Sequence, residues 1–319
     1  MTTPTQVTLE DLPCPLGCAR GDKDLFTGGD LINGLPGSFT VVKCCTCGLM
    51  RTNPRPTANT IGFYYPDNYG PYIQSRIQSN QAKTAGIIKS FLRPIASKIF
   101  NFNMITLPIM KPGRMLEIGC ASGLFLHHMA NQGWQVQGIE FSENVAQAAA
   151  KLGFDVYAGA LETAPTPDKP YDLIVGWMVV EHLHDPVGCL KKLREWAKPG
   201  ATLAISVPNS GSLEFLAFKN KSYALQLPTH LYHFTPKTIE KVLDAGGWSL
   251  EKVLHQRTLN NLIGSLGFLV SGWGFTKLGS MLIDFPERPS RWTYFLYPLA
   301  FFLSLFGQTG RMTIWAKVK

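Results

Sequence analysis

The segment Leu116-Glu117-Ile118-Gly119-Cys120-Ala121-Ser122-Gly123-Leu124 limits what this chain can fold into more than any other stretch. It reads as a short buried strand that enters a glycine-containing turn and leaves as a helix. Glycine lets a backbone come close to a ligand, and the first turn of a helix offers N–H groups with no intrahelical partner. Alone, such a turn is weak evidence. About twenty residues on, however, Glu140 closes the next predicted strand, Val136 to Glu140, where a carboxylate can accept hydrogen bonds from two ribose hydroxyls. Turn and acid together predict a nucleoside-containing cofactor. The turn does not spell the G-x-G-x-x-G of nicotinamide-binding proteins.

Strands and helices alternate from here to the end of the sequence. Strands are predicted at Met115–Gly119, Val136–Glu140, Val156–Tyr157, Tyr171–Trp177, Thr202–Val207, Trp248–Gln256 and Met312–Lys317. Helices are expected over Leu124–Gln132, from a Ser142 cap to about Leu152, over Asp185–Ala197 and over Pro236–Ala245. Lys198-Pro199-Gly200 should break the third of these. Alternation of this kind implies an α/β fold with a largely parallel sheet and right-handed crossovers. Two stretches interrupt it: an excursion from Pro208 to Phe234, and an apolar insertion at 259–309.

Five of the seven cysteines fall in the first fifty residues. Cys14-x3-Cys18 and Cys44-x2-Cys47 are two close pairs, which can present four thiolates tetrahedrally to Zn²⁺. Four protein ligands leave no open position, so the zinc is expected to be structural. Cys45 is a spare thiol. The N-terminal stretch MTTPTQVTLEDLPCP has no basic region followed by an apolar run, so the expectation is a cytoplasmic protein.

The formal charge is +8, which suits an anionic partner. A basic helix is expected from Ile77 to Phe100, after an aromatic, turn-rich stretch made of Tyr64-Tyr65-Pro66 and Asp67–Tyr72. The insertion holds Trp273, Trp292, Tyr294 and Tyr297, with Arg288, Arg291 and Arg311 nearby. Of its two apolar stretches, Leu259–Ile283 and Trp292–Phe306, the second is fifteen residues long and interrupted by Pro298, short of the roughly 20 residues of a spanning helix, so a clean transmembrane helix is not expected. It reads as an anchor at the inner membrane surface, a helical cap over substrate, or a contact between subunits. The domain reading is therefore 1–60 zinc-binding module, 61–112 linker and basic helical segment, and 113–319 α/β domain.

These residues carry a family resemblance. The turn resembles the E/D-x-G-x-G-x-G signature of class I S-adenosylmethionine-dependent methyltransferases, with Ala121 at the middle glycine. Tyr171-Asp172-Leu173-Ile174, Glu181-His182-Leu183-His184-Asp185-Pro186 and Lys198-Pro199-Gly200 look like further parts of that pattern. Cys44-x-x-Cys47-Gly48-Leu49, Asn53-Pro54-Arg55-Pro56, Val207-Pro208-Asn209 and Leu227–Phe234 resemble a bacterial subgroup with an N-terminal zinc knuckle. The resemblance implies a Rossmann-like seven-stranded sheet. It places Glu117, Gly119, Ala121 and Gly123 on the methionine and ribose side of the cofactor, Glu140 on the ribose, and Phe141 against adenine. Ala160 and Leu161 fall beside the adenine, and Trp177 walls the site.

Methyl transfer to a hydroxyl or acidic carbon needs a base. His230 is the first candidate, because its loop should cover the acceptor, and His182 is the second. His127, His128 and His255 read as structural. Some quinone-pathway O-methyltransferases hold a divalent ion with E-x-x-E-H. Met178 stands at the first acidic position here, so no catalytic metal is expected. The acceptor is expected to be a small molecule, a sugar or a lipid-linked glycan. An RNA methyltransferase and a non-catalytic cofactor-binding scaffold are the alternatives. Nucleic acid is not the expected partner, because aromatic residues are not interleaved with Lys and Arg in an RNA-binding pattern.

Overall fold

The computed structural model describes residues 4, 6–19, 21–66, 101–287 and 292–319. The basic helix expected over 77–100, the stretch 67–72, Arg288 and Arg291 lie outside the described residues.

The N-terminal region forms five short strands: β1 (Leu9–Glu10), β2 (Asp22–Gly28), β3 (Phe39–Cys44), β4 (Met50–Thr52) and β5 (Arg55–Pro56). β2, β3 and β4 pair antiparallel. The free edge of β4 is taken by a strand from far along the chain, which places Tyr232 opposite Arg51 and His233 opposite Met50. Two buried arginines tie the strands together at this seam. Arg51 pairs with Asp22 at 2.6 Å. Arg55 pairs with Glu10 at 2.9 Å and also donates to the Tyr232 hydroxyl and the His184 carbonyl.

The main sheet has seven strands. β6 (Arg114–Ile118), β7 (Gln135–Glu140), β8 (Asp155–Ala158), β9 (Tyr171–Trp177) and β10 (Ala197–Pro208) run parallel. The short β11 (Tyr232–His233) is the strand that completes the N-terminal sheet. β12 (Trp248–His255) and the antiparallel β13 (Arg311–Val318) close the order β12-β13-β10-β9-β6-β7-β8. Central strands are apolar on both faces, as strands covered by helices on both sides must be. Leu173, Ile174, Val175, Leu203, Ala204 and Ile205 are fully buried. At the lower edge, Asp172 accepts the Arg114 N–H and the Lys198 ammonium. A Cβ on Gly113 would lie 2.4 Å from the Asp172 carboxylate, so the Pro112-Gly113 turn needs glycine for clearance.

Helices α1 (Leu124–Ala130), α2 (Glu143–Ala150), α3 (Pro186–Glu195), α4 (Leu213–Phe218) and α5 (Pro236–Ala245) connect or cover these strands. Sequence signals explain their starts. Asp185 caps α3 by accepting the Gly188 N–H, with Pro186 at its first position, and Thr235 and Thr238 form a reciprocal cap on α5. Two expectations change. Ser142 stands at the α2 cap position, but its side chain makes no capping bond; its N–H is given to Glu140 instead. Lys198-Pro199-Gly200 is not a break before the strand. It is absorbed as an irregularity inside β10, where the register passes from Ala197 opposite Tyr171 to Thr202 opposite Leu173.

The insertion folds as α6 (Asn260–Gly272), α7 (Thr276–Ile283), α8 (Trp292–Phe295) and α9 (Tyr297–Leu305). α6 and α7 meet closely: a Cβ on Gly267 would fall 2.7 Å from the Ile283 nitrogen. Among the described residues, no helix is long and apolar enough to cross a membrane.

Candidate active site

The first half of the site is built where the order of the main sheet reverses. β7 and β9 flank β6, and the turns leaving the parallel strands β6 and β9 lie at the same edge of the sheet, the edge where open α/β sheets bind ligands. The turn after β6 uses three left-handed positions in five residues: Gly119 (φ 68°), Ala121 (φ 46°) and Gly123 (φ 81°). Alanine in this region is strained, and such strain collects at functional sites. Glu140 holds the conformation in place. Its Oε2 accepts the Ala121 N–H and its Oε1 the Ser142 N–H, both at 2.9 Å. Burial pushes the Glu140 carboxyl up, against the opposing pull of the Ser142, Ala121 and Phe141 amides.

Glu117 points into the same region. It is buried, and its Oε2 has no hydrogen-bond partner. Burial, with Glu140 adding to it, pushes this carboxyl well above the ordinary range. An orphaned buried carboxylate oxygen beside a strained turn fits a ligand that brings a positive or hydrogen-bond-donating group. Phe141, next to Glu140, is 51% exposed, with one ring neighbour in Tyr65, and presents an apolar surface on which a nucleobase could lie. The Gly159 N–H bonds the Glu140 carbonyl, which sets Ala160 and the buried Leu161 beside this edge. Trp177 packs edge-on against Phe125 at 5.4 Å, and its indole N–H is buried without a partner.

The second half lies in the loops after β9 and β10. Glu181 is fully buried, and neither of its carboxylate oxygens has a partner. Its side chain, His182 and His230 bring their ligating atoms within 4.8 Å of one another. The two imidazoles stand edge to face with centroids 4.7 Å apart. His230 Nδ1 lies 2.8 Å from the Ala224 carbonyl, and His182 Nδ1 lies 2.9 Å from the Thr229 carbonyl. The backbone joins the loops as well: the Leu231 N–H donates to the Glu181 carbonyl at 2.8 Å. Burial lowers the His182 pKa to about 4 and holds His230 well below the ordinary histidine value, and it raises Glu181 to about 8. Both imidazoles are therefore neutral near pH 7.

The remaining cluster is the cysteine set. Cys14, Cys18, Cys44 and Cys47 place their sulfurs within 4.8 Å of one another, with Cys14 and Cys47 at 3.5 Å. Four thiolates about 2.3 Å from a zinc ion stand roughly 3.8 Å apart, so the set fits the ion. Gly17 and Gly48, both left-handed, form the tight turns that fold each pair back on itself. Burial pushes the Cys44 thiol up, but the amides of Cys47 and Thr46, together with the thiols of Cys47 and Cys18, outweigh it and lower the thiol to about 7. Cys45 is exposed and stands outside the set.

Residues 90–253, just over half of the chain, match the family model described as a methyltransferase domain. The chain belongs to the methyltransferase-domain family. A ubiquinone biosynthesis O-methyltransferase of Bradyrhizobium diazoefficiens is 31% identical over 165 residues, covering 48% of this chain and 65% of that protein. A protein of the same name from Rhodopseudomonas palustris is 31% identical over 171 residues, covering 50% and 67%. The chain thus spans just under two thirds of the first relative's length. A crystal structure of an S-adenosylmethionine-dependent methyltransferase from Mesorhizobium loti aligns with a TM-score of 0.45 at 15% identity, over 66% of this chain and 93% of that one.

Within this methyltransferase domain the structure gathers Glu117, Gly119, Ala121, Gly123, Glu140 and Phe141 at one crevice, and His182 with His230 at its neighbour. His127 and His128 lie exposed on α1 beside Asn131 and Gln132, and His184 bonds the Pro56 carbonyl. Tyr65 is legible in the sequence only as part of the aromatic stretch Tyr64-Tyr65-Pro66, with no role attached to it. Its hydroxyl lies 2.9 Å from His182 Nδ1 and its ring 6.1 Å from that of Phe141, so it bridges the two halves. No spacing rule links residue 65 to residues 141 and 182. Glu181 was visible only as part of a motif, and its isolation from any partner is a tertiary fact.

Proposed function

We propose that this chain transfers a methyl group from S-adenosylmethionine to an oxygen or acidic carbon of a small-molecule, sugar or lipid-linked acceptor. One observation carries the reading: the cofactor turn and the glutamate–histidine cluster adjoin. A Cβ on Gly119 would lie 2.5 Å from the Val179 side chain, and Val179 leads directly into the 3-10 turn Val180–His182. A methyl donor in the turn and an acceptor at the cluster would therefore be neighbours. The O-methyltransferase names of the relatives agree with an oxygen acceptor.

The bound cofactor supplies an electrophilic sulfonium methyl. Glu117 and the backbone of 119–123 hold its methionine side, Glu140 its ribose, and Phe141, Ala160 and Leu161 its adenine, with Trp177 closing the wall. His230, neutral and fixed by its bond to Ala224, takes the acceptor's proton, and His182 is the alternative base. Losing a positioned base costs about 100- to 10,000-fold in rate. His230→Ala should lower turnover by that order while affinity for S-adenosylhomocysteine stays within about threefold. His182→Ala, assayed beside it, tells which imidazole carries the role. Full turnover in both variants would remove both from the mechanism.

The four-cysteine set is proposed to hold one structural zinc. The insertion is proposed to rest on the inner membrane surface, where a lipid-linked acceptor would be found.

A further inference from the structure

We propose that Glu181, His182 and His230 form a second metal site, for a first-row divalent cation with coordination positions left open toward the acceptor. Its ligands come from two loops that the Leu231-to-Glu181 backbone bond holds together.

Three independent features point to an ion. The first is proximity: the candidate ligand atoms lie within 4.8 Å of one another. Ligands about 2.1 Å from a metal sit roughly 3.4 Å apart, so the trio needs to close by up to about 1.4 Å. The second is the orientation of the rings. A carbonyl oxygen only accepts, so His230 Nδ1 carries the proton it gives to Ala224, and the Thr229 carbonyl calls for the same tautomer at His182, with the Tyr65 hydroxyl 2.9 Å from that nitrogen then serving as a second acceptor. Each neutral ring then keeps its lone pair on Nε2. A backbone carbonyl behind the distal N–H is the arrangement that fixes metal-ligating histidines. The third is Glu181. A fully buried carboxyl with two unpartnered oxygens is costly unless a cation or donor meets it.

Ligand chemistry narrows the ion. Two imidazoles and one carboxylate suit Zn²⁺, Mn²⁺ or Fe²⁺ rather than Mg²⁺ or Ca²⁺, which favour oxygen-only shells. Three protein ligands leave room for a further one. Met178 stands where a first acidic ligand would be expected; in the proposed site His230, from the other loop, takes the third position. The site deepens the proposed function and rests on it for the ion's role: with the ion bound, the imidazole lone pairs are engaged as ligands, and the ion, by receiving an oxygen of the acceptor and lowering its pKa, would stand in place of the imidazole base.

Mn²⁺ is the test ion, because the thiolate set discriminates against it. Titration of the full, zinc-loaded chain followed by electron paramagnetic resonance should show about one tightly bound Mn²⁺. Glu181→Gln, nearly the same shape, should weaken binding by about 100-fold, and His230→Asn by a similar factor, whereas His128→Ala on the exposed face of α1 should not change it. Should the His230 variant not fold, Glu181→Gln decides. Should neither fold, Co²⁺ added to the wild type decides, since nitrogen–oxygen ligation gives weak visible bands without thiolate charge transfer. A folded wild type that binds neither Mn²⁺ nor Co²⁺ at millimolar concentration overturns the site, as does unchanged affinity in a folded Glu181→Gln. Calorimetry with S-adenosylhomocysteine on the same samples separates the two claims. Metal binding without cofactor binding sinks the proposed function and leaves the metal site; cofactor binding without metal does the reverse.

Discussion

Glu140 reaches back from the end of β7 and accepts the Ala121 N–H at 2.9 Å, while its other oxygen accepts the Ser142 N–H at the same distance. One carboxylate thus shapes the turn proposed to meet the cofactor's methionine side, and the same carboxylate is the one proposed to hold the ribose. Glu140→Ala should weaken S-adenosylhomocysteine binding by about 2–4 kcal/mol, or 30- to 1,000-fold. Glu140→Gln keeps one acceptor oxygen and should fall between the two. Gly119→Arg would drive a side chain into Val179 from a left-handed backbone and should abolish binding. Calorimetry showing wild-type affinity in both Glu140→Ala and Gly119→Arg would falsify the cofactor assignment.

Glu214 gives a pH signature away from the site. It is buried on α4, and burial raises its carboxyl from 4.5 to about 7 despite Arg311 nearby. A carboxyl whose folded pKa is raised stabilises the fold fully below its unfolded value, and that stability is lost as the pH climbs through the folded value. Its contribution should therefore decline between about pH 4.5 and 7. Glu214→Gln stays neutral, so it should match the wild type near pH 4.5 and exceed it by about 2–3 kcal/mol at pH 8. Denaturant melts at the two pH values check this. A constant difference at both would mean that the carboxyl does not titrate in this window.

The cysteine set should hold about one zinc per chain. Cys47→Ser should lose the metal and destabilise the β2–β3–β4 sheet, whereas Cys45→Ser should keep both. The damage should spread, because β4 pairs with β11, two residues after His230. Stripping zinc with a chelator should then lower the melting temperature of the whole chain and not merely of its first sixty residues. Protein purified without chelator that contains free thiols and no metal contradicts the zinc assignment.

Local signals carried much of this fold. The buried run at 115–118, the exact span of β9, the Pro236 start of α5 and the acid at the end of β7 all depend on residues close in sequence. The turn after β6 was legible for the same reason: its glycines and Glu140 follow a known spacing. Tertiary pairing was not legible. Nothing near Tyr232 announces a strand added to β4, and Lys198-Pro199-Gly200 looks like a stop until β9 offers it a partner across a register shift. The acceptor half suffered most. Glu181, His182, His230 and Tyr65 lie on segments that only folding brings together, so sequence could nominate the two histidines but not the carboxylate that faces them or the tyrosine behind.

The insertion is the last feature with a measurable consequence. Its helices leave large apolar side chains in solvent: Trp273 is 70% exposed, Phe295 74% and Phe306 63%, and Phe275, Met281, Trp292 and Phe302 are exposed too. Soluble monomers seldom leave so many large apolar groups uncovered in one region. Aromatic rings suit the membrane interface, and the +8 net charge favours an anionic leaflet. Flotation with anionic liposomes should carry the intact chain upward. Replacing Trp273, Phe295 and Phe306 together by serine should leave it at the bottom, with the melting temperature little changed, because these side chains support no core. Raising the salt should weaken the wild-type interaction, while neutral liposomes should retain less protein from the start. If the wild type ignores liposomes at low salt and sediments as a dimer that the triple variant breaks, the apolar surface belongs to a subunit contact, and the lipid-linked acceptor loses its support.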